Sequence, residues 1–120
     1  MIILKIGIIF SFLAVVIGAF GAHGLKEILF QNKTLDTFQT AVQYQMFHSI
    51  AILLTGILIN IDILDSKIPA YCFFVGILIF SGSLYILSIT NIKWLGAITP
   101  IGGVLFLIGW GLLLINLKSI

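Results

Sequence analysis

Four long apolar stretches, separated by short polar segments, follow one another along the chain. They lie at about residues 6–25, 40–60, 69–90 and 94–117. Each approaches or exceeds the ~20 apolar residues that a helix needs to cross the hydrocarbon core of a bilayer. A helix also satisfies its own backbone polar groups, which lipid does not do. The pattern therefore predicts four membrane-spanning helices.

Residues in the polar segments predict where these helices begin. Asn32 or Thr34 is suited to start the second helix, with Asp36 in its first turn, where the helix dipole favours a negative charge. Pro69 suits the first turn of the third helix, where its missing N–H has no helical partner. Pro100 lies inside the fourth apolar stretch and lacks a backbone donor, so we expect a kink there.

The connections predict the topology. The segment between the first two helices is the longest and is partly amphipathic, whereas residues 91–93 form a tight connection between the last two. Short connections place successive helices antiparallel to one another. We therefore expect an all-α membrane protein, a four-transmembrane-helix bundle with up-down-up-down topology, in a single domain over residues 1–120.

The first apolar stretch resembles a secretory signal peptide, with Lys5 near its start and small residues at 19–22. It is longer than a typical signal core, so we interpret it as a retained span. Small residues at spacings of three to four share one face of this helix. Such a face lets another backbone approach closely, and it predicts helix packing through Gly7, Ser11, Ala14, Gly18 and Ala22.

Composition strengthens the membrane assignment. Hydrophobic residues make up 61% of the chain and charged residues only 8%, whereas a soluble domain has about a quarter charged residues. We expect a multi-pass protein of the cell membrane with the lipid bilayer as its partner. A net charge of +2, spread over single lysines, does not favour nucleic-acid binding. The lone Cys72 excludes an intrachain disulfide and a cysteine-pair metal site.

Lysine residues in short loops usually indicate which side of a membrane protein faces the cytoplasm. Here the predicted topology divides them equally, so the membrane orientation is undetermined: Lys5, Lys67 and Lys118 lie on one side, and Lys26, Lys33 and Lys93 lie on the other.

Polar side chains concentrate where the first and third helices end and the second and fourth begin. Such groups are costly in lipid unless paired and often mark functional sites. With membrane boundaries near Lys26 and Gln45, each histidine would lie ~4.5 Å deep, so we expect His23 and His48 to face each other. The predicted pocket contains His23, Gln43, Tyr44, Gln45, His48, Ser81, Ser83, Tyr85 and Thr99.

Other roles for these side chains remain open. Histidine, glutamine and tyrosine are common at the membrane interface, and serine and threonine often join neighbouring helices. A bis-histidine haem needs two axial imidazoles, and a catalytic zinc site generally uses three protein ligands. Neither site is specified here, and no serine-hydrolase nucleophile motif is present. We therefore assign no catalytic residue, metal or cofactor.

Four segments of the chain resemble signatures of domain-of-unknown-function family 423, the YgdD-type group of small bacterial membrane proteins with related mitochondrial proteins in eukaryotes. They are GAFGAHGL at 18–25, QTAVQYQMFH at 39–48, FSGSLY at 80–85 and LGAITPIGG at 95–103. Together they cover nearly the whole chain in order. The resemblance implies a four-span integral membrane protein and brings no established reaction, ligand or catalytic residue.

Three functions follow from these patterns. The small-residue face and the lack of catalytic motifs favour a structural or accessory protein that packs with other membrane subunits, or with copies of itself as a homo-oligomer. The alternative is a binder or carrier of a small polar or amphipathic ligand in a pocket around His23 and His48, where a titrating His48 would gate occupancy. A membrane redox or metal/haem component using the two histidines is the third.

Overall fold

The computed structural model describes residues 1–119, which are helical throughout except for short connections, with no strand in that range. Four helices are long and apolar enough to cross a membrane: Ile2–Gly24, Leu35–Asn60, Ile68–Thr90 and Lys93–Asn116. We call them spans 1 to 4. The predicted all-α fold with four transmembrane helices is confirmed.

Each span packs along the next span in the chain, from span 1 to span 4. The most apolar parts of spans 2 and 3 have 39% of their residues buried, against 17% in span 1 and 22% in span 4. Spans 2 and 3 therefore form the centre of the bundle, and spans 1 and 4 flank them. Residues Ala51, Ile52, Phe73, Ile77 and Phe106 belong to the buried core that joins spans 2, 3 and 4.

Span 1 is α-helical over Ile2–Val16, continues through a π-helical turn at Ile17–Gly21 and ends with Ala22–Gly24. A π-helical turn is a rare local widening of an α-helix. Span 1 is followed by a seven-residue helix, Lys26–Asn32, which we call the connecting helix. This helix buries Leu29 and exposes Lys26, Glu27 and Gln31, so the connection is amphipathic.

The small residues of span 1 lie partly against span 2. A Cβ atom added to Gly7 would lie 2.7 Å from the Leu53 side chain, and one added to Gly18 would lie 2.9 Å from Val42. Ala14 is buried, and Ser11 has a buried hydroxyl without a hydrogen-bond partner among residues 1–119. This face therefore contributes to packing within the chain, whereas its fifth residue, Ala22, lines a hollow at the end of the span.

Span 2 begins directly after Thr34, with Asp36 in its first turn, as the sequence predicted. The Thr34 hydroxyl does not cap span 2 and instead donates to the carbonyl oxygen of Ser88 at 2.8 Å. Asn32 Nδ2 donates to the same carbonyl at 3.0 Å. The last carbonyls of a helix have no partner within it, so these bonds satisfy the end of span 3 and fix it to the start of span 2.

Span 3 has Pro69 in its first turn, as predicted. Span 4 begins as a 3-10 helix, Lys93–Ala97, and becomes α-helical at Thr99–Asn116, with Pro100 in the first α-helical turn. The expectation that Pro100 kinks the middle of a helix was therefore wrong. Pro100 opens the α-helix instead of interrupting it, because the first turn is where a missing N–H removes no hydrogen bond.

Spans 3 and 4 approach most closely at two glycines. A Cβ atom on Gly102 would lie 2.5 Å from the backbone nitrogen of Phe80 and 2.9 Å from the carbonyl oxygen of Gly76. A backbone atom at this distance does not move aside as a flexible side chain would. The close packing of these spans therefore requires glycine at position 102.

A hydrogen-bonded clasp follows span 4. Lys118 Nζ lies 2.9 Å from Asp65 and 3.2 Å from Asp62, both in the connection between spans 2 and 3. The Lys118 backbone N–H donates to the carbonyl oxygen of Ile63 at 3.0 Å. We call this set of contacts the C-terminal clasp. It ties the end of span 4 to the connection that follows span 2.

Candidate functional site

His48 lies near the middle of the bundle. The contacts of Thr34 with Ser88 place the start of span 2 level with the end of span 3. His48 follows Leu35 by thirteen residues, which is about 20 Å along a helix. Since a hydrocarbon core is about 30 Å thick, this position lies close to its centre, much deeper than the ~4.5 Å expected from a boundary near Gln45.

The imidazole of His48 is buried among aromatic side chains. Its ring stacks on Phe106 with centroids 3.6 Å apart and an interplanar angle of 8°. Trp110 Nε1 donates to His48 Nε2 at 3.0 Å, and His48 Nδ1 lies 2.9 Å from the carbonyl oxygen of Tyr44. His48 therefore has a partner at each ring nitrogen.

These partners define the tautomer. An indole N–H is only a donor and a backbone carbonyl is only an acceptor. His48 Nε2 must therefore carry the lone pair, and Nδ1 must carry the hydrogen that is donated to Tyr44. In this arrangement neither nitrogen is free to bind a metal or take a proton from a substrate. His48 is held as a neutral, fully bonded ring that joins spans 2 and 4.

A groove with a volume of about 720 Å³ opens beside His48 between spans 2 and 4. Its walls are mainly apolar. Phe47 and Tyr44 contribute from span 2, and Leu107 and Trp110 contribute from span 4. Gln43 also lines it and is exposed, and its side chain makes no hydrogen bond to any residue of the described chain. The groove thus combines a largely aromatic lining with one side-chain amide that has no hydrogen-bond partner among residues 1–119.

Other predicted pocket residues form a network that joins the helices. Gln45 Nε2 donates to the carbonyl oxygen of Phe10 at 3.0 Å, and the Tyr85 hydroxyl donates to Gln45 Oε1 at 2.6 Å. The Ser81 hydroxyl donates to the carbonyl oxygen of Ala41 at 2.8 Å. These three hydrogen bonds link spans 1, 2 and 3.

A fourth contact extends this network to span 4. The hydroxyls of Ser83 and Thr99 lie 2.6 Å apart and are both buried. Buried hydroxyls in lipid need such partners because water is absent. We call the side chains in these four contacts the polar network. They do not line the groove, which takes only Gln43, Tyr44 and His48 from the predicted pocket.

The structure does not bring His23 and His48 together. His23 is exposed and lines a separate hollow beside the connecting helix. Close contacts of Gly18 with Val42 and of Gly21 with Phe38 set the register between spans 1 and 2. In that register His23 is level with residue 37, eleven residues from His48, so the two histidines differ in depth by about 16 Å.

Trp110 and Phe106 are site residues that the sequence reasoning did not assign. The available signal was the indole N–H of Trp110 in the middle of an apolar helix, because a buried indole usually has a hydrogen-bond acceptor. The side chain of His48 supplies one. Phe106 gave no such signal, since one phenylalanine in an apolar helix resembles any other.

A family model described as "Protein of unknown function (DUF423)" matches residues 17–103. The chain belongs to this family. The DUF423 protein is 47% identical over 107 residues to the UPF0382 membrane protein YwdK of Bacillus subtilis, covering 88% of this chain and 86% of that protein. It is 46% identical over 110 residues to the UPF0382 membrane protein SAB0533 of Staphylococcus aureus, covering 92% and 89%. No solved structure matches the chain.

The names of the relatives and the four spans both indicate a membrane protein. Relatives named as membrane proteins in bacteria, together with four apolar helices of membrane length, make this DUF423 protein a multi-pass protein of the cell membrane. These findings confirm the predicted family and the predicted membrane location. They also confirm that the chain is a small membrane protein of a family of unknown function. The groove and the polar network are the features from which a function is inferred.

Proposed function

We propose that this DUF423 protein binds a small amphipathic molecule from the lipid phase in the groove beside His48. Small-molecule sites commonly have volumes of about 300–1,000 Å³, mostly apolar linings and a few well-placed polar groups. The groove, at about 720 Å³, has this size and this lining. An apolar chain would lie against Phe47, Leu107 and Trp110.

The free amide of Gln43 carries the proposal. Gln43 lies eight residues after Leu35, about 12 Å along span 2, and is therefore within the apolar part of the membrane. A polar group in hydrocarbon is costly without a partner. The side-chain amide of the neighbouring Gln45 has a partner at both Nε2 and Oε1, but the side chain of Gln43 makes no hydrogen bond within residues 1–119. The polar group of a bound molecule would supply that partner.

The chemistry of the groove favours binding over reaction. Both nitrogens of His48 are engaged, and within the described residues no three histidine, cysteine, aspartate or glutamate side chains form a metal-binding group. The occupant expected here is amphipathic and mainly apolar, since the exposed lining offers one amide and many aromatic and aliphatic carbons. The sequence allowed either a polar or an amphipathic ligand, and the lining of the groove favours the amphipathic one.

The accessory-protein hypothesis has less support from the structure than from the sequence. It depended on the small-residue face of span 1 as a surface for other membrane subunits or a homo-oligomer. Gly7 and Gly18 of that face are in contact with Leu53 and Val42 of span 2. The face is therefore engaged within the chain, whereas the groove is open to the lipid.

Native mass spectrometry of protein purified from membranes in a mild detergent tests the proposal. We expect a discrete added mass on the wild type, less of it on Gln43→Leu, and its loss from Leu107→Trp, whose larger side chain fills the groove, while any mass bound outside the groove is kept. Ile115→Trp is the matched control, because Ile115 is about as exposed as Leu107 on the same span, at 74% and 72%, and does not line the groove.

Two results would overturn the proposal. One is a wild-type protein that carries no added mass when gently extracted. The other is a Leu107→Trp spectrum with the same set of added masses as the wild type, since a molecule in the groove would have to be displaced.

A further inference from the structure

A second hollow, of about 1000 Å³, lies where span 1 ends and the chain returns through the connecting helix to span 2. Two lysines and two carboxylates line it: Lys26, Glu27, Lys33 and Asp36. This hollow is separate from the groove and shares none of its lining residues. An inference about it therefore does not depend on the proposed function.

The four charged side chains have no ionic partners among residues 1–119. Within residues 1–119, the only salt bridges are those of Lys118 with Asp62 and Asp65, which lie in the C-terminal clasp. Charges of both signs surround one hollow without neutralising each other. The net charge of the four side chains is zero, because two are positive and two are negative.

The surroundings place the hollow at the membrane surface. The connecting helix follows directly on span 1 and exposes 83% of Phe30, and Phe20 at the end of span 1 is 71% exposed. Large apolar side chains beside lysines are typical of helices that lie at the boundary between headgroups and acyl chains. The hollow therefore opens where lipid headgroups lie.

We propose that this hollow binds the headgroup of a zwitterionic phospholipid that carries a phosphate and a primary ammonium. The ammonium groups of Lys26 and Lys33 would donate to the phosphate oxygens, and the carboxylates of Glu27 and Asp36 would accept hydrogen bonds from the lipid ammonium. The acyl chains would extend past Phe30 into the bilayer.

The two carboxylates account for the choice of headgroup. An anionic headgroup without an ammonium group brings its negative charge close to Glu27 and Asp36 and leaves them unpaired. A quaternary ammonium headgroup has the right charge but no N–H to donate. The hollow should therefore prefer phosphatidylethanolamine to both phosphatidylglycerol and phosphatidylcholine with the same acyl chains.

Lipid retention measured by native mass spectrometry, after incubation with each of these three lipids, tests the preference. We expect the wild type to retain phosphatidylethanolamine about fivefold better than either of the others, the effect of roughly one favourable charge contact at a membrane surface. Lys26→Gln/Lys33→Gln should lose this retention. Glu27→Gln/Asp36→Asn should switch the preference to phosphatidylglycerol, because the lysines then act alone.

Two controls separate this site from general charge effects and from the groove. Lys5→Gln/Lys67→Gln removes two lysines that do not line the hollow and should leave the preference unchanged. Leu107→Trp blocks the groove and should also leave it unchanged. Equal retention of the three lipids by the wild type would overturn the proposal, as would a Glu27→Gln/Asp36→Asn protein that keeps the wild-type preference.

Discussion

His48 illustrates how a titratable side chain is accommodated at the centre of a membrane protein. Its two hydrogen bonds, to Trp110 and to the Tyr44 carbonyl, leave no polar atom of the ring without a partner. Stacking on Phe106 covers one face of the ring. The side chain therefore adds a specific link between spans 2 and 4 where only apolar contacts would otherwise join them.

Loss of the Trp110 indole N–H should weaken this link. Trp110→Phe keeps an aromatic ring but leaves His48 Nε2 without its donor. We expect the free energy of unfolding to fall by about 0.6 kcal/mol, the average for such bonds between membrane helices, and by at most about 1.7 kcal/mol. Unfolding in mixed micelles with increasing sodium dodecyl sulfate, followed by circular dichroism, measures the change.

Trp94→Phe is the matched control, because Trp94 is 66% exposed, its indole N–H has no hydrogen-bond partner among the described residues, and it should tolerate the change. Nitrogen-15 spectra of histidine-labelled protein give an independent reading. A wild-type His48 with its hydrogen on Nε2 would contradict the assigned tautomer.

At the level of the helices, glycine positions decide how closely spans 3 and 4 pack. Gly102 lies against backbone atoms of Phe80 and Gly76, and Gly109 lies against the ring of Phe73. Gly111, on the same span, has no atom within 4 Å of an added Cβ. One helix therefore contains a glycine whose replacement forces the backbones apart and another whose replacement fills open space.

Gly102→Ala should lower the free energy of unfolding by about 1–3 kcal/mol, the usual cost of adding a methyl group to a well-packed site. Gly111→Ala should be neutral or stabilising by up to about 1 kcal/mol, since alanine favours the helix more than glycine does. The same micelle titration compares the two proteins. Equal stability of both variants would contradict the close backbone contact between spans 3 and 4.

Across the whole molecule, the C-terminal clasp connects two segments that are far apart in sequence. The carboxylates of Asp65 and Asp62 raise the pKa of the Lys118 ammonium, mainly through the hydrogen bond to Asp65. A lysine pKa that is higher in the folded than in the unfolded protein stabilises the fold below the unfolded value of 10.5. This stabilisation disappears as the pH rises through the folded pKa.

Lys118→Gln should therefore lower the thermal stability at pH 8 and have no effect at a pH above the folded pKa of Lys118. The difference should be small and should decrease with added salt, because the side chains are exposed. Lys67→Gln, in the same connection but without an ion pair among residues 1–119, serves as the control. A stability difference that persists in strong alkali would mean that Lys118 acts through something other than its charge.

The fold was accessible from the sequence, because hydropathy and a few helix-end residues are sufficient in a membrane protein. Four apolar stretches predicted the spans, and Thr34 and Pro69 marked two helix starts. Helix pairing was less accessible. In lipid both the buried and the exposed faces of a helix are apolar, so no polar face indicates which side contacts a neighbour.

The candidate site, too, was only partly predictable from the sequence. The sequence selected Gln43, Tyr44 and His48, which line the groove, since polar residues are conspicuous in an apolar helix. It also grouped them with His23, because the membrane boundary was placed near Gln45 and the depth of His48 was therefore underestimated. Trp110 and Phe106, which complete the surroundings of His48, are apolar or nearly so and are not distinguished by composition.

The order in which the spans pack has a consequence for synthesis. Because each span contacts the one made before it, the molecule can assemble stepwise as the chain leaves the ribosome, without waiting for distant segments. The hydrogen bonds among Phe10, Gln45 and Tyr85 are complete once span 3 has been inserted. The groove needs span 4 for its second wall, so it forms only after the hydrogen bonds among spans 1, 2 and 3. A chain that stops after Thr90 would keep those hydrogen bonds yet have no place for a ligand in the groove.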